Sequence, residues 1–196
     1  MNFKLIISIT LLVAILIGII YWQVFAYAVP QPKYQILQSD NKIEMRNYPE
    51  LIVAEVTVAG ERYASINEGF RILAGYIFGN NQRKQTISMT APVEQEKSKD
   101  GWIIRFIMPA EFNMSTLPTP TNKAIKFTST KSKKYIAIQF NGFNSDENIQ
   151  ANTNLLLEYI KQKNIKTIGS PIMAFYNPPW ILPFLRRNEI LIELQE

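Results

Sequence analysis

Two stretches of the chain repeat one order of hydrophobic and polar positions. Alternation of apolar and polar residues predicts strands, and apolar residues three or four positions apart predict helices. Each stretch reads as strand, strand, helix, strand, strand. The first comprises Lys42–Tyr48, Leu51–Val58, the helix Glu61–Phe78, Thr86–Val93 and Trp102–Met108. The second comprises Ala124–Thr130, Tyr135–Asn141, the helix Asp146–Lys163, Ser170–Tyr176 and Glu189–Leu194.

This duplication predicts an α+β domain made of two related halves, about 42–109 and 122–196. Two half-sheets, each covered by one helix, can close around a shared interior. A cleft between such halves is a natural place for a small ligand.

The ends of the predicted helices carry capping signals. Ser65 and Glu68 have capping-box spacing, which places the regular start of the first helix later than Glu61. Gly79 is expected in the left-handed position that ends this helix. Ser145 is expected to cap the second helix.

Two further segments are predicted to lie at the surface. The polar stretch Glu94–Gly101 is typical of an exposed hairpin loop, and Glu189 and Glu193 lie four apart on one strand face. Because neither glutamate has a partner nearby in the sequence, we expect a solvated edge rather than an acid–base pair.

The first 28 residues differ from the rest of the chain. From Leu5 to Trp22 no residue is charged, and these eighteen residues would form a helix of about 27 Å, close to the thickness of a hydrocarbon core. Lys4 and the amino terminus precede this span, which predicts an inside N-terminus and a non-cytoplasmic domain. We predict a membrane anchor through residues 5–22, a spacer over 29–41 and the folded domain over 42–196. The alternative is a signal peptide cleaved near Ala28, which would leave a secreted or periplasmic protein.

The composition excludes several kinds of chemistry. The chain contains neither cysteine nor histidine. Thiol catalysis, thiolate metal sites and every nucleophile arrangement that needs an imidazole are therefore excluded. The net charge is +5, but the basic residues are scattered. A nucleic-acid surface would require them to cluster with aromatic residues, so we expect no nucleic-acid partner.

Four short segments, in this order and on this frame, carry a resemblance. They are Ile87–Val93 (I-S-M-T-A-P-V), Phe106–Pro109 (F-I-M-P), Tyr176–Trp180 (Y-N-P-P-W) and Arg186–Ile190 (R-R-N-E-I). Together they resemble the SOUL heme-binding protein family, and the resemblance covers roughly Pro32 to Leu194.

The resemblance implies a distorted antiparallel β-barrel of two repeats that binds heme or another tetrapyrrole. Some members bind through a histidine, and others in a shallow apolar cleft beside the first helix, with basic side chains near the propionates. The basic positions of some members fall here at Asn67, Gly75 and near Leu182, none of which is basic. The candidate ligand-binding residues are Arg62, Tyr63, Ile66, Phe70, Arg71, Met89, Arg186 and Arg187.

These expectations lead to one principal function and two alternatives. The principal hypothesis is a membrane-tethered protein that binds a porphyrin-like ligand without a histidine. Met89 is a conceivable iron ligand, although a methionine at such a position more often fills the interior. The first alternative is an interaction or scaffold protein that keeps the fold without the ligand. The second is an enzyme acting on a tetrapyrrole, for which the sequence names no catalytic residue.

Overall fold

A computed structural model describes residues 9–15, 17–18 and 29–195. Residues 29–195 form nine strands, two long helices and one short 3-10 turn. The strands are β1 Gln35–Asp40, β2 Ile43–Tyr48, β3 Leu51–Val58, β4 Val93–Ser98, β5 Gly101–Ile107, β6 Lys126–Thr130, β7 Lys133–Phe140, β8 Thr167–Phe175 and β9 Asn188–Leu194. The helices are α1 Arg62–Ile77 and α2 Asp146–Gln162, and the 3-10 turn is Pro183–Leu185.

All nine strands belong to one antiparallel sheet in the order β1-β2-β7-β9-β8-β4-β5-β3-β6. Without β1, this order is symmetric about the β8–β4 pair. When each strand of one half is replaced by its counterpart in the other, the same order is read backwards. The two predicted repeats are therefore two structural halves that meet at β4 and β8.

The halves exchange their first strands. β2 pairs with β7 of the second half, and β6 pairs with β3 of the first half. The α+β class and the antiparallel sheet are confirmed, but the predicted distorted barrel is wrong. In the described part of the chain, β1 and β6 remain at the two edges of the sheet, so the sheet is open.

The helix ends agree with the sequence at two of the three predicted positions. Ser145 precedes α2, and its hydroxyl accepts a hydrogen bond from the Asn148 amide at 3.3 Å. Gly79 has φ +109° after α1, as expected. The predicted capping box is wrong, because α1 begins at Arg62 and the Ser65 hydroxyl donates to the Ala59 carbonyl.

One predicted strand lies in the wrong place. Thr86–Val93 contains only an isolated bridge from Thr86 to Phe78 and a cis peptide bond at Ala91–Pro92. The strand begins instead at Val93 and occupies most of the predicted exposed loop. Its two edges pair with β5 and β8. A polar composition concealed β4 because one face of this strand lines an open cleft. The predicted spacer 29–41 contains β1.

The two faces of the sheet have different roles. Even-numbered residues of β3, β5, β7 and β9 point toward the helices, as Ala54, Ile104, Ile136 and Ile190 do, and each of these is fully buried. α1 covers the first half and α2 the second, with Leu73 and Leu156 at the centres of their contacts. The odd-numbered residues of these strands form the opposite, open face.

The N-terminal prediction is only partly covered by the described residues. Residues 9–15 and 17–18 are helical. Where the chain is described, no helix has both the length and the apolar character needed to span a bilayer. Half of the predicted span 5–22, and the alternative cleavage site near Ala28, lie outside the described residues.

The turn of the β4–β5 hairpin requires a glycine at position 101. This glycine has φ +128°, and a Cβ added there would collide with the Val58 carbonyl oxygen. We predict that Gly101→Ala lowers the free energy of unfolding by about 3 kcal/mol. Gly169→Ala is the matched control, since Gly169 has φ +74° but no atom near its Cβ, and strain alone costs about 1 kcal/mol. Equal losses for the two variants, measured by urea denaturation, would contradict this prediction.

Candidate functional site

The open face of the sheet contains a cavity of about 380 Å³, here called the sheet cleft. It lies where the two halves meet, and the central strands β3, β4, β5, β7, β8 and β9 contribute to its walls. Its apolar lining includes Leu51, Val53, Ile168, Ile172 and Leu191. Its charged lining consists of Glu55, Glu94, Glu96, Glu193, Arg105, Lys131 and Lys133.

Three of the four glutamates in the sheet cleft are ion-paired. Arg105 on β5 binds Glu55 at 2.9 Å and Glu96 at 2.7 Å, and so bridges the strands on its two sides. Lys133 binds Glu193 at 2.6 Å near the rim. Arg105 and Lys133, the two cations on strands of the cleft, are therefore both ion-paired.

Glu94 is the exception. Among the described residues its carboxylate has neither a hydrogen bond nor an ion pair, although the residue is partly buried on β4, between β5 and β8. Burial raises the pKa of Glu94 above its ordinary value of 4.5, while the charge of Arg105 opposes this shift. Tyr135 faces the same space, and its hydroxyl has no hydrogen-bond partner in the described structure. Burial, with the nearby charge of Glu94, raises the pKa of Tyr135, which therefore stays neutral.

A second cavity of about 600 Å³ lies beside the incoming chain and is here called the N-terminal cavity. Residues 30–33 form one wall, and Phe112, Met108 and Ile52 are among the apolar residues opposite. Pro49 and Leu51 line both cavities, so the two spaces share a wall.

A buried cluster of charges lies beyond the sheet cleft on the open face. Glu189 has no exposed surface, and Arg46 binds its two carboxylate oxygens at 2.7 and 3.0 Å. Arg187 binds the same carboxylate at 2.8 Å, and the Tyr176 hydroxyl donates to it at 2.8 Å. Burial disfavours the charged form, but the hydrogen bonds and charges of Arg46 and Arg187 prevail and hold the pKa of Glu189 below its ordinary value.

The expectation of a solvated edge at Glu189 and Glu193 is therefore wrong. Glu189 forms the centre of the buried cluster, and Glu193 pairs with Lys133 across β7 and β9. Arg46 and Lys133 are remote in sequence from these glutamates, which is why spacing along the chain could not reveal them, whereas Arg187 lies only two residues from Glu189.

The predicted ligand residues on α1 form an exposed apolar stripe. Tyr63 is 52 % exposed and Phe70 is 43 % exposed, and Ile66 lies between them, partly buried against the core. Phe70 packs against Phe106 with ring centroids 5.4 Å apart. Arg71 is highly exposed and lies 3.5 Å from Glu68. Met89 is half-buried and packs against the same core as α1.

The other three predicted arginines are engaged within the fold. Arg62 donates to Asp146 at 2.7 Å and to Gln95 at 3.1 Å, which ties the start of α1 to the start of α2. Arg186 donates to the carbonyls of Ile181 and Pro179. Arg187 binds Glu189 and donates to Gln31 and Tyr34.

Neither cavity is lined by any of the predicted ligand residues. Sequence reasoning placed the site on α1 and missed Glu94 and Tyr135 in the sheet cleft. Correct placement of β4 was the signal that would have found Glu94, since alternation along Val93–Ser98 separates Glu94 and Glu96 from Gln95. Within the described residues, no group of three histidine, cysteine, aspartate or glutamate side chains is placed to hold a metal ion.

These features define an α+β domain of two strand-exchanged halves that share one antiparallel sheet, with a cavity of small-molecule size on its open face. A model of the SOUL heme-binding protein family matches residues 29–193. The chain belongs to this family. No curated protein matches the chain.

Comparison with solved structures supports the fold alone. The C-terminal domain of EcmrR superposes with a TM-score of 0.61 at 12 % identity, covering 83 % of this chain and 98 % of that one. A hydrolase from Listeria innocua superposes with a TM-score of 0.53 at 10 % identity, covering 81 % of this chain and 94 % of that one.

The buried charge cluster generates a prediction for Arg46. Replacing Arg46 with methionine leaves Glu189 with only Arg187 as its ionic partner, and loss of one partner from a buried pair costs about 3 kcal/mol. A group with a lowered pKa stabilises the fold above its unfolded pKa and loses that contribution as the pH falls. The loss in Arg46→Met should therefore be largest near neutral pH and shrink in acid, where Glu189 is protonated.

Denaturant unfolding at several pH values measures this effect. The matched control is Arg71→Met, which removes an exposed arginine with a weak surface contact and should change stability by less than about 0.5 kcal/mol. A pH-independent loss in Arg46→Met would contradict the assigned role of Glu189.

Proposed function

We propose that this protein binds heme or a related tetrapyrrole through the apolar stripe on α1 formed by Tyr63, Ile66 and Phe70. The observation that carries the proposal is membership of the SOUL heme-binding family together with two aromatic side chains left largely exposed on the first helix. Large exposed aromatic residues grouped on one face are typical of binding surfaces.

The stripe and the adjacent Arg71 can contact two parts of a tetrapyrrole, its flat ring and one of its acidic groups. Tyr63 and Phe70 offer aromatic faces for contact with a flat macrocycle. Arg71 follows Phe70 in the chain, and among the described residues its only ionic contact is the exposed one with Glu68. A guanidinium in this position suits a propionate, which it can bind through two hydrogen bonds. Arg62, Arg186 and Arg187 are not available for this role because the fold already uses them.

The proposed mode of binding does not use a histidine. The chain has none, and the stripe supplies contact area rather than a metal ligand. Burial of apolar surface contributes about 25 cal/mol per Å², from which association costs are subtracted. We therefore expect moderate affinity that depends on the aromatic residues more than on iron.

Hemin titration of the full chain in neutral detergent, followed by the Soret absorption, tests this proposal. We expect one-site saturation. Tyr63→Ala and Phe70→Ala should each weaken binding by about tenfold through lost contact area. Arg71→Ala should weaken binding by a smaller factor, with recovery in Arg71→Lys.

Leu155→Ala is the matched control, because Leu155 is equally exposed on α2, at 55 %. It should leave hemin binding unchanged. Equal affinity of the protein for metal-free and iron-loaded protoporphyrin would agree with recognition through the ring. Failure of the Soret band to shift, or the same affinity in Phe70→Ala as in the unchanged chain, would reject the proposed site.

A second candidate function is an interaction or scaffold role in which the fold is kept without the ligand. The observation that favours it is the engagement of Arg62, Arg186 and Arg187 within the fold, which leaves the α1 stripe with few basic neighbours. In that case hemin would not bind, while a protein partner would be captured on the exposed stripe and lost in Tyr63→Ala.

We further propose that residues 5–22 tether the domain to a membrane on its non-cytoplasmic side. The support is the uncharged run together with Lys4 before it. Because the chain has no cysteine, one introduced thiol reports topology. Lys99→Cys, in the exposed β4–β5 turn, should react with a membrane-impermeant maleimide on intact cells, whereas Asn2→Cys should react only after lysis. Labelling of Asn2→Cys alone on intact cells would indicate the opposite topology. A mass that corresponds to a mature protein beginning near residue 29 would indicate cleavage.

A further inference from the structure

We infer that the sheet cleft is a second binding site, selective for an organic cation that joins a protonated amine to a flat apolar body. Three features of the described residues carry this inference: a carboxylate without a partner, a tyrosine hydroxyl without a partner that interacts electrostatically with it, and apolar walls of ligand size. None of them belongs to the stripe on α1, which lies on the other side of the sheet.

The charge balance of the cleft identifies the sign of the ligand. Four carboxylates and three cations line it. Arg105 is held between Glu55 and Glu96, and Lys133 is held by Glu193. Lys131 is exposed. The remaining carboxylate, that of Glu94, therefore faces the cleft without a partner among the described residues.

The surroundings of Glu94 determine the rest of the ligand. Removing a charged group from water is costly unless another charge or a hydrogen-bond donor compensates for it. A protonated amine compensates for the carboxylate of Glu94 and can also donate to the hydroxyl of Tyr135. The rings of Tyr48 and Tyr135 meet edge to face at 5.7 Å, so they present aromatic surface to the adjoining apolar body.

The size of the cleft also limits the ligand. A volume of about 380 Å³ lies near the lower end of the range typical of small-molecule sites. Leu51 and Val53 on β3, Ile172 on β8 and Leu191 on β9 form walls on three different strands. A ligand of two aromatic rings with one amine matches both the space and the one cleft carboxylate that has no ion pair among the described residues.

The same charges exclude the ligand proposed for α1. A tetrapyrrole with propionate groups would bring negative charge toward Glu94 and Glu96. Like charges brought together in a partly buried site cost free energy. The two sites therefore select ligands of opposite charge on opposite faces of one sheet.

Binding in the cleft should depend on pH. The groups facing Glu94 are Arg105 from the neighbouring β5, Glu96 from its own strand β4 and Tyr135 from across the cleft. Arg105 remains charged, and Tyr135 remains neutral. Because the pKa of Glu94 is raised in the free protein, a fraction of this carboxyl is protonated in mild acid. Affinity for the cation should therefore rise as the pH increases and level off once Glu94 is fully ionised.

Isothermal titration calorimetry of the full chain in neutral detergent, with a detergent blank, tests the inference. The probes are para-phenylbenzylamine, its neutral analogue para-phenylbenzyl alcohol and the anion para-phenylbenzoate. We expect the amine to bind about tenfold more tightly than the alcohol, because a hydrogen bond to a charged partner adds that much. The anion should bind most weakly.

Glu94→Gln keeps the shape of the side chain and removes its charge. In this variant the preference for the amine over the alcohol and its pH dependence should both disappear, while the alcohol still binds. Glu111→Gln is the matched control, since Glu111 is exposed and lines neither cavity. It should keep the preference. Unchanged circular dichroism melting shows that each variant is folded.

Two results would overturn the inference: equal affinity of the unchanged chain for amine and alcohol, or an amine preference that survives in Glu94→Gln. The outcome is separable from the hemin experiment. Glu94→Gln should bind hemin normally, and Phe70→Ala should bind the amine normally. Loss of hemin binding with an intact amine preference would reject only the tetrapyrrole site.

Discussion

Exchange of first strands between the two halves is the constraint on which the rest of the structure depends. β2 completes the second half and β6 completes the first, so neither half contains all the hydrogen bonds of its own sheet. The continuous sheet that results places α1 and α2 on one face and brings the central strands of both halves together on the other. The sheet cleft is a product of this joining, because its walls come from both repeats.

The open face combines charges in two distinct ways. In the buried cluster, Glu189 is fully compensated by Arg46 and Arg187, and this arrangement fixes β2, β9 and the loop before β9 relative to one another. In the sheet cleft, Glu94 lacks such compensation although Arg105 is close. Glu189 therefore has a structural role. Glu94, which has no ion pair among the described residues, is the carboxylate that can receive a ligand.

The sequence predicted the elements far better than the site. Duplication, both helices and most strands followed from apolar periodicity, since local patterning reports which face of an element is buried. The strand Val93–Ser98 was missed because one of its faces meets a polar cleft, so its composition resembles that of a loop. Arg62 was assigned to a ligand because its partner Asp146 becomes its neighbour only in the folded chain. Arg187 was assigned in the same way because its contact with Glu189, two residues away, depends on the local strand geometry. Tyr63 and Phe70 were named as candidates, and their exposure on one face of α1 became known only from the packing of this helix.

The segment that enters the domain is fixed along its length. The Pro30 carbonyl accepts a hydrogen bond from the Ala91 amide at 2.9 Å, Arg187 reaches Gln31 and Tyr34, and the guanidinium of Arg46 lies 4.4 Å from the centre of the Tyr34 ring. If residues 5–22 lie in a bilayer, only six residues separate the span from this fixed segment, a reach of about 20 Å. The domain would then be unable to tumble freely, and one side of it would face the lipid headgroups at all times.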